Sequence, residues 1–262
     1  IEKLLLSEPE TEVSDVMVKE ATFFFTDDPV RDVVDSFEKY DLLSTPVVNL
    51  HKQVVGRVTV DAIIDAVQER AQAESLRQVG LSEDDDMFGP ALQNARKRWP
   101  WLALNLFTAF AASRVIGAFE DVITQLVALA TLMPVIASIG GNTGNQTMAL
   151  VIRGLALNQM GPAQLRSLFQ KEVTIAAFNG ALWGAALALV TLVLYHDFKL
   201  AAVIGSAMVL ELIVAASAGL IIPVLLQRFG RDPVMGSSVI LTALTDSMGF
   251  FIFLGLAAAV LV

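Results

Sequence analysis

Residues 100–262 hold five apolar runs, at 100–119, 122–152, 172–195, 200–226 and 236–262. About 20 apolar residues cross the hydrocarbon of a bilayer as a helix, and no water there satisfies an open backbone. Runs of this length therefore predict five transmembrane helices. The second run is unusual in content. Between Pro134 and Gln146 it carries one proline, three glycines, two asparagines, a threonine and a glutamine. Such a segment is tolerated only where it packs on protein or lines a water-filled cavity. Small residues serve close helix packing, while amide oxygens offer hard, uncharged ligands to a hydrated ion. Asn142, Asn145 and Gln146 tilt the reading towards a conduction path, with a kink expected at this glycine-rich stretch.

The runs are separated by Glu120-Asp121, a polar loop at 153–171, residues 196–199 and residues 227–233. Alternate connections differ in charge. One side carries Arg96, Lys97, Arg98, Arg153, Arg166, Lys171, Arg228 and Arg231; the other has only Lys199, with Arg114 nearby. Excess positive charge stays cytoplasmic. The soluble segment is thus expected in the cytoplasm, the chain in the plasma (inner) membrane, and the C-terminus outside. An odd number of spans agrees.

The whole deficit of charge lies ahead of the membrane. Residues 1–99 carry 11 Lys/Arg against 20 Asp/Glu, whereas the rest carries 7 of each, within a net charge of −9. An acidic surface repels nucleic acid, which excludes that partner, and attracts cations. The absence of cysteine excludes disulfides and thiolate metal sites. The chain opens at Ile1 rather than Met, and a preceding portion is expected.

Residues 21–72 read as β-α-β-β-α. A short strand at 21–25 is followed by Asp28-Pro29, an N-cap with proline at the first helical position. Val30, Val33, Val34 and Phe37 form the apolar face of that helix. Two strands, at 45–48 and 54–60, flank the turn 49–53, and a helix with Ile63, Ile64 and Val67 inward closes the unit. About fifty residues bury too little surface alone, so a second copy is expected to pair with it. The helical pattern continues to about Val79 and precedes the acidic run Ser82-Glu83-Asp84-Asp85-Asp86.

Ionisable residues inside the spans are Arg114, Glu211 and Asp246, with Glu172 at a boundary. Arg114 lies near the outer end of its span, where it can snorkel or pair with Glu120 or Asp121. Asp246 lies about 15 Å from the cytoplasmic end at 1.5 Å per residue, and Asn142 reaches a similar depth. Intramembrane acids mark functional sites by default, and a carboxylate level with a polar, glycine-rich segment makes a cation site. Glu211 is open to three readings: a second cation ligand, a proton-accepting group, or a protonated carboxyl hydrogen-bonded to a neighbouring helix. An intramembrane aspartyl protease would need two embedded aspartates, and Asp246 stands alone; no Ser-His-Asp arrangement is present, so an enzyme is not expected. A sensor on a passive anchor would leave the polar residues of the second span without a use.

Tyr40-Asp41-Leu42-Leu43-Ser44-Thr45-Pro46-Val47-Val48 and Gly56-Arg57-Val58-Thr59-Val60-Asp61 resemble a CBS (cystathionine β-synthase) domain, assigned to 1–72. Such modules occur as tandem pairs and often bind adenine nucleotides. This single copy reads as the second of a pair, with residues 1–7 the tail of the first. Ala62 stands where the nucleotide-binding pattern has a ribose-holding Asp, so this half departs from that pattern.

With Gly140-Gly141-Asn142-Thr143-Gly144-Asn145-Gln146, the segment Thr242–Gly249 with its Asp, five spans and a preceding CBS domain, the chain is similar to the MgtE family of magnesium channels and transporters. The resemblance implies an α-helical membrane protein with five transmembrane helices (100–262), preceded by a small α+β CBS domain and a long connecting helix with its acidic linker (61–99). It implies a homodimer in the bilayer whose ion path lies between protomers, lined by the second and fifth spans. Asp246 would bind Mg²⁺ largely through its retained waters, beside Asn142. Gly140, Gly141, Gly144, Gln146, Thr242, Thr245 and Gly249 would line the path. Relatives use acids on the second CBS domain and connecting helix to sense cytosolic Mg²⁺. Asp65 and Glu74 keep that character, but Ala62, Arg70 and Ala73 do not, and the turn before Gly56 reads Asn49-Leu50-His51-Lys52-Gln53. Gating by cytosolic Mg²⁺ is therefore expected to be weakened, unless the acids 83–86 substitute. The alternative within transport is a Na⁺- or H⁺-coupled Mg²⁺ exchanger using Glu211.

Overall fold

The computed structural model describes residues 6–17, 21–82, 85, 88–157 and 160–262, without the side chains of Val13, Arg70 and Glu74. Residues 1–5 of the expected tail, and Glu83, Asp84 and Asp86 of the acidic run, lie outside the described residues. The chain divides into two units, Ile1–Ala73 and Glu74–Val262.

The first unit runs through a one-turn α1 (Val13–Val16), β1 (Phe24–Phe25), α2 (Val30–Tyr40), β2 (Ser44–Val48), β3 (Val54–Thr59) and the start of α3 (Val60–Gln78). β1 pairs parallel with β2, and β2 antiparallel with β3. A parallel pair needs a crossover, which α2 supplies. Asp28 does not cap α2. Its Oδ2 instead accepts a bond from the Phe25 backbone N–H at 2.7 Å, holding the turn after β1, and Pro29 leads into the helix. The hairpin is closed by Asn49, whose Oδ1 accepts from the backbone N–H groups of His51 and Gln53 at 2.9 and 3.0 Å.

Phe24, Val33, Phe37 and Ile63 form the core of this unit. The helical periodicity put Val30, Ile64 and Val67 inward as well, but they are 62%, 48% and 45% exposed. A three-stranded sheet with so short a first strand covers only part of each helix. The remaining apolar surface stays open.

α3 ends at a left-handed glycine. Gly80 has φ +76°, and the Leu81 N–H reaches back to the Leu76 carbonyl at 3.0 Å, closing the helix as glycine C-terminal motifs do. The connecting helix is therefore α3 alone. Arg96, Lys97 and Arg98 belong to the next helix, α4 (Ala91–Gly117), which starts after the extended Pro90 and continues through Pro100. In the intervening loop the Asp85 carboxyl accepts a bond from the Ser82 backbone N–H at 2.9 Å and pairs with Lys97 at 3.2 Å. These contacts hold it below the usual carboxylate range, the Ser82 bond contributing most.

In the second unit, the run expected at 122–152 divides into α5 (Glu120–Gln125) and α6 (Ala128–Ala156). The expected kink at Gly140–Gln146 is absent as a break: α6 is one α-helix throughout, with Thr143 Oγ1 donating to the Ile139 carbonyl at 3.0 Å. Continuous helix satisfies every backbone group there. The expected loop 153–171 is also mostly helical. α6 continues to Ala156, and α7 (Pro162–Tyr195) begins directly after Gly161, with proline pre-set for its first turn. At 34 residues, α7 is about 50 Å long, longer than a hydrocarbon layer of about 30 Å. α8 (Phe198–Arg228) is capped by Asp197, whose Oδ1 accepts from the Lys199 and Leu200 N–H groups, and α9 (Ser237–Val260) follows Gly236.

Of the described helices, α7, α8 and α9 are long and apolar enough to cross a membrane. α4 and α6 are long enough but more polar. α8 is the centre of the bundle, packing against α6, α7 and α9, while α9 also packs on α6 and α4. Glycines set these separations. A Cβ on Gly184 would stand 2.7 Å from the Gly205 carbonyl oxygen, and one on Gly219 would strike the Gly144 carbonyl. Leu129, Ile136, Ile204, Met208, Leu212 and Phe253 fill the largest core cluster.

Candidate functional site

The helices that carry the polar membrane residues, α6 and α9, lie side by side. A Cβ on Gly141 would stand 3.9 Å from Thr245 Oγ1, and one on Gly144 would stand 3.0 Å from Leu241 Cδ1. The pairing 141 with 245 and 144 with 241 is antiparallel. Asn142 and Asp246 each lie one residue from the first pair, on opposite sides of it in an antiparallel pairing, and so stand about 3 Å apart along the axis, less than one turn. Asp246 is half-buried and Asn142 is exposed.

The other named residues fall into two groups. Asn145 and Gln146 are exposed near Asn142 on one side of α6 by spacing, and Thr242 is exposed one turn before Asp246 on α9. Gly140, Gly144, Thr245 and Gly249 are buried, and Gly141 is half-buried. Thr242 Oγ1 donates to the Ser238 carbonyl at 2.9 Å, and Thr245 Oγ1 donates to the Leu241 carbonyl at 3.0 Å. Gly140 and Gly249 face Glu211, and Gly144 fits beside Leu241 and the Ala215 carbonyl. The glycines therefore let α6, α8 and α9 close on one another.

Glu211 is completely buried, and neither carboxyl oxygen has a hydrogen-bond partner among the described residues. The reading that hydrogen-bonds it to a neighbouring helix finds no partner for it. Glu172, expected at a span boundary, is only 8% exposed and accepts a 2.8 Å bond from Thr147 Oγ1, tying α7 to α6. Spacing along the chain carries no sign of that pair, because its members lie on different helices. Arg114 is exposed near the end of α4.

At the other end of α6, Gln78, Val79, Trp101, Asn145, Met148, Ala149, Ile152 and Ser238 line a cavity of about 320 Å³. Ser238 Oγ, in the first turn of α9, donates to the Gln78 carbonyl at 2.9 Å, and Trp101 fills the space beside Gly80. The last residues of α3 are thereby fixed to α4 and α9.

In the first unit Asp65 is exposed on α3, and the Glu74 side chain lies outside the described residues. Among the described residues no three Asp, Glu or His side chains converge to hold a metal.

Comparison with known proteins matches two segments. Residues 133–256 match the MgtE family, described as divalent cation transporter, and residues 13–69 match the CBS domain. The Magnesium transporter MgtE of Bacillus subtilis (strain 168) is 35% identical over 259 residues, 98% of this chain and 57% of the relative. Its namesake in Thermus thermophilus is 33% identical over 266 residues, 98% and 58% of the two chains. That of Enterococcus faecalis is 29% identical over 255 residues, 97% and 56%. This chain thus spans a little over half the length of these relatives. Its membrane-helix region is similar to the MgtE family and the residues ahead of it are similar to a CBS domain.

Proposed function

We propose that the chain is part of a magnesium transporter in which hydrated Mg²⁺ moves between two protomers along a path lined by α6 and α9. The observation that carries this reading is that Asn142 and Asp246 stand within one helical turn of each other along the axis, as the placement of Gly141 beside Thr245 implies. Mg²⁺ dehydrates reluctantly and prefers few carboxylates with neutral oxygens and water. One Asp246 from each protomer neutralises a divalent ion, and Asn142 supplies an amide oxygen beside it. Gln146, Thr242 and the small residues Gly140, Gly141, Gly144, Thr245 and Gly249 shape the same path. The open polar stripe of α6 supports a dimer, since Asn142 and Gln146 are exposed on a single protomer and would otherwise face lipid.

In this reading α4 and α6 cross the plasma membrane with α7, α8 and α9, giving five spans. The first unit and the α6–α7 connection are cytoplasmic and the C-terminus is outside, as the basic residues dictate. Regulation by cytosolic Mg²⁺ is weak, because α3 retains Asp65 and Glu74 but has Ala62, Arg70 and Ala73 elsewhere. Passive conduction is preferred to coupled exchange, since Glu211 is enclosed.

The test is Mg²⁺ flux into liposomes holding the purified chain. Asp246→Asn is expected to lower flux at least tenfold, equivalent to about 1.4 kcal/mol, with assembly intact. Wild-type flux in that variant overturns the assignment.

A further inference from the structure

Glu211 stands at the middle of α8, fully buried, with both carboxyl oxygens unpartnered among the described residues. It is wedged between the two helices of the proposed path. A Cβ on Gly140 of α6 would stand 2.5 Å from its Oε1, and a Cβ on Gly249 of α9 would stand 3.2 Å from its Cδ.

Space decides what this carboxyl can hold. Mg²⁺ needs six oxygens at about 2.1 Å and keeps most of its waters. Beside Glu211 there is no room for a methyl group on Gly140. A proton needs none.

Charge points the same way. The only charged residue of α6 is Arg153, 13 residues from Gly140, or about 20 Å along the axis. α9 contributes only Asp246, one turn from Gly249, and that is a like charge. On α8 the nearest charges are Lys199 and Arg228, more than three turns away, while α7 brings Arg166, Lys171 and Glu172, the last bonded to Thr147. An ionised carboxylate enclosed without donor or counter-ion is far more costly than a neutral acid.

We propose that Glu211 holds a proton in the packed bundle and acts as a neutral spacer between α6 and α9, leaving Asp246 as each protomer's one fixed negative charge on the path. Glu211 is thus a positioning residue. It sets how far apart the helices bearing Asn142 and Asp246 stand. This deepens the proposed function and rests on its assignment of α6 and α9 to the path.

Infrared difference spectroscopy of the purified chain, wild type minus Glu211→Gln, reads the proton directly. A protonated-carboxyl C=O band at neutral pH, present in the wild type and missing from the variant, is expected. A difference spectrum with a carboxylate band instead overturns the proposal. Flux supplies the positioning readout. Glu211→Gln, isosteric with the neutral acid, is expected to keep the wild-type pH profile and a rate within about twofold, the scale of a neutral substitution. Glu211→Ala, which removes the spacer, is expected to shift the Mg²⁺ concentration giving half-maximal flux. Loss of flux in an assembled Glu211→Gln protein would mean that ionisation is used, and would also overturn the proposal. The infrared result does not depend on flux, so a failure of the transport reading remains distinguishable.

Discussion

Gly140 and Gly141 are neighbours on one helix, yet alanine at the two positions should have opposite effects. In a helix interior Gly→Ala gains about 0.5–1 kcal/mol in backbone entropy, and this gain is common to both. The surroundings differ. A methyl on Gly141 has Thr245 Oγ1 as its nearest neighbour at 3.9 Å, an ordinary contact. A methyl on Gly140 meets Glu211 Oε1, Cγ and Cδ at 2.5, 2.8 and 3.1 Å. Glu211 is hemmed in on its far side by Gly249, so the carboxyl cannot swing clear without moving α9. Overpacking of this kind costs about 1–3 kcal/mol. Because the entropy gain cancels between the variants, their difference in stability is the overpacking cost itself. Thermal unfolding of the purified chain in one detergent measures it. At about 2–4 °C per kcal/mol for a unit of this size, Gly140→Ala should melt several degrees below Gly141→Ala, with Gly141→Ala at or above wild type. If the two variants melt together, Glu211 does not fill the gap between α6 and α9, and the packing argument fails.

Other outcomes follow from the same arrangement. Asn142→Leu should reduce Mg²⁺ flux at least tenfold by removing an amide oxygen and narrowing the path, a change of about 1.4 kcal/mol; thermal stability distinguishes this from misfolding. Thr147→Val leaves the buried Glu172 without its donor and should cost about 1–3 kcal/mol, read as a lower melting temperature. Protease cleavage within 61–99 should change little as Mg²⁺ is titrated through the millimolar range, as the proposed weak sensing by a helix with Ala62, Arg70 and Ala73 beside Asp65 and Glu74 requires; sharp protection would show an intact sensor.

The long elements were legible because their causes are local. Apolar length announced the helices of the second unit, and alternating strand and helix patterns gave the order of the first. What escaped was set by contacts between elements. Asp28 has the chemistry of an N-cap, yet the Phe25 N–H competes for its carboxylate and wins. The 153–171 stretch is polar enough for a loop, but nothing in Ala163–Lys171 opposes a helix that projects into water, and Pro162 favours starting one. Glycine and amide content hinted at a kink, whereas the glycines serve the approach of α8 and α9 and leave α6 regular. Depth along the chain alone brought Asp246 and Asn142 together in the reading of the sequence. The burial of Glu172 and the enclosure of Glu211 depend on which helix lies opposite, and a single sequence does not encode that in its spacing.

The stripe of Asn142, Asn145 and Gln146 along α6 also bears on how such a protein is made. Given the proposed dimer, a solitary copy released into the bilayer would turn the amides of Asn142 and Gln146 towards acyl chains, each costing several kcal/mol without a partner. Biogenesis would then hinge on the meeting of two copies rather than on insertion of either. Cellular abundance would follow pairing, with orphan subunits the natural prey of membrane quality control. A defective allele, still able to pair, would silence the healthy chains it captured.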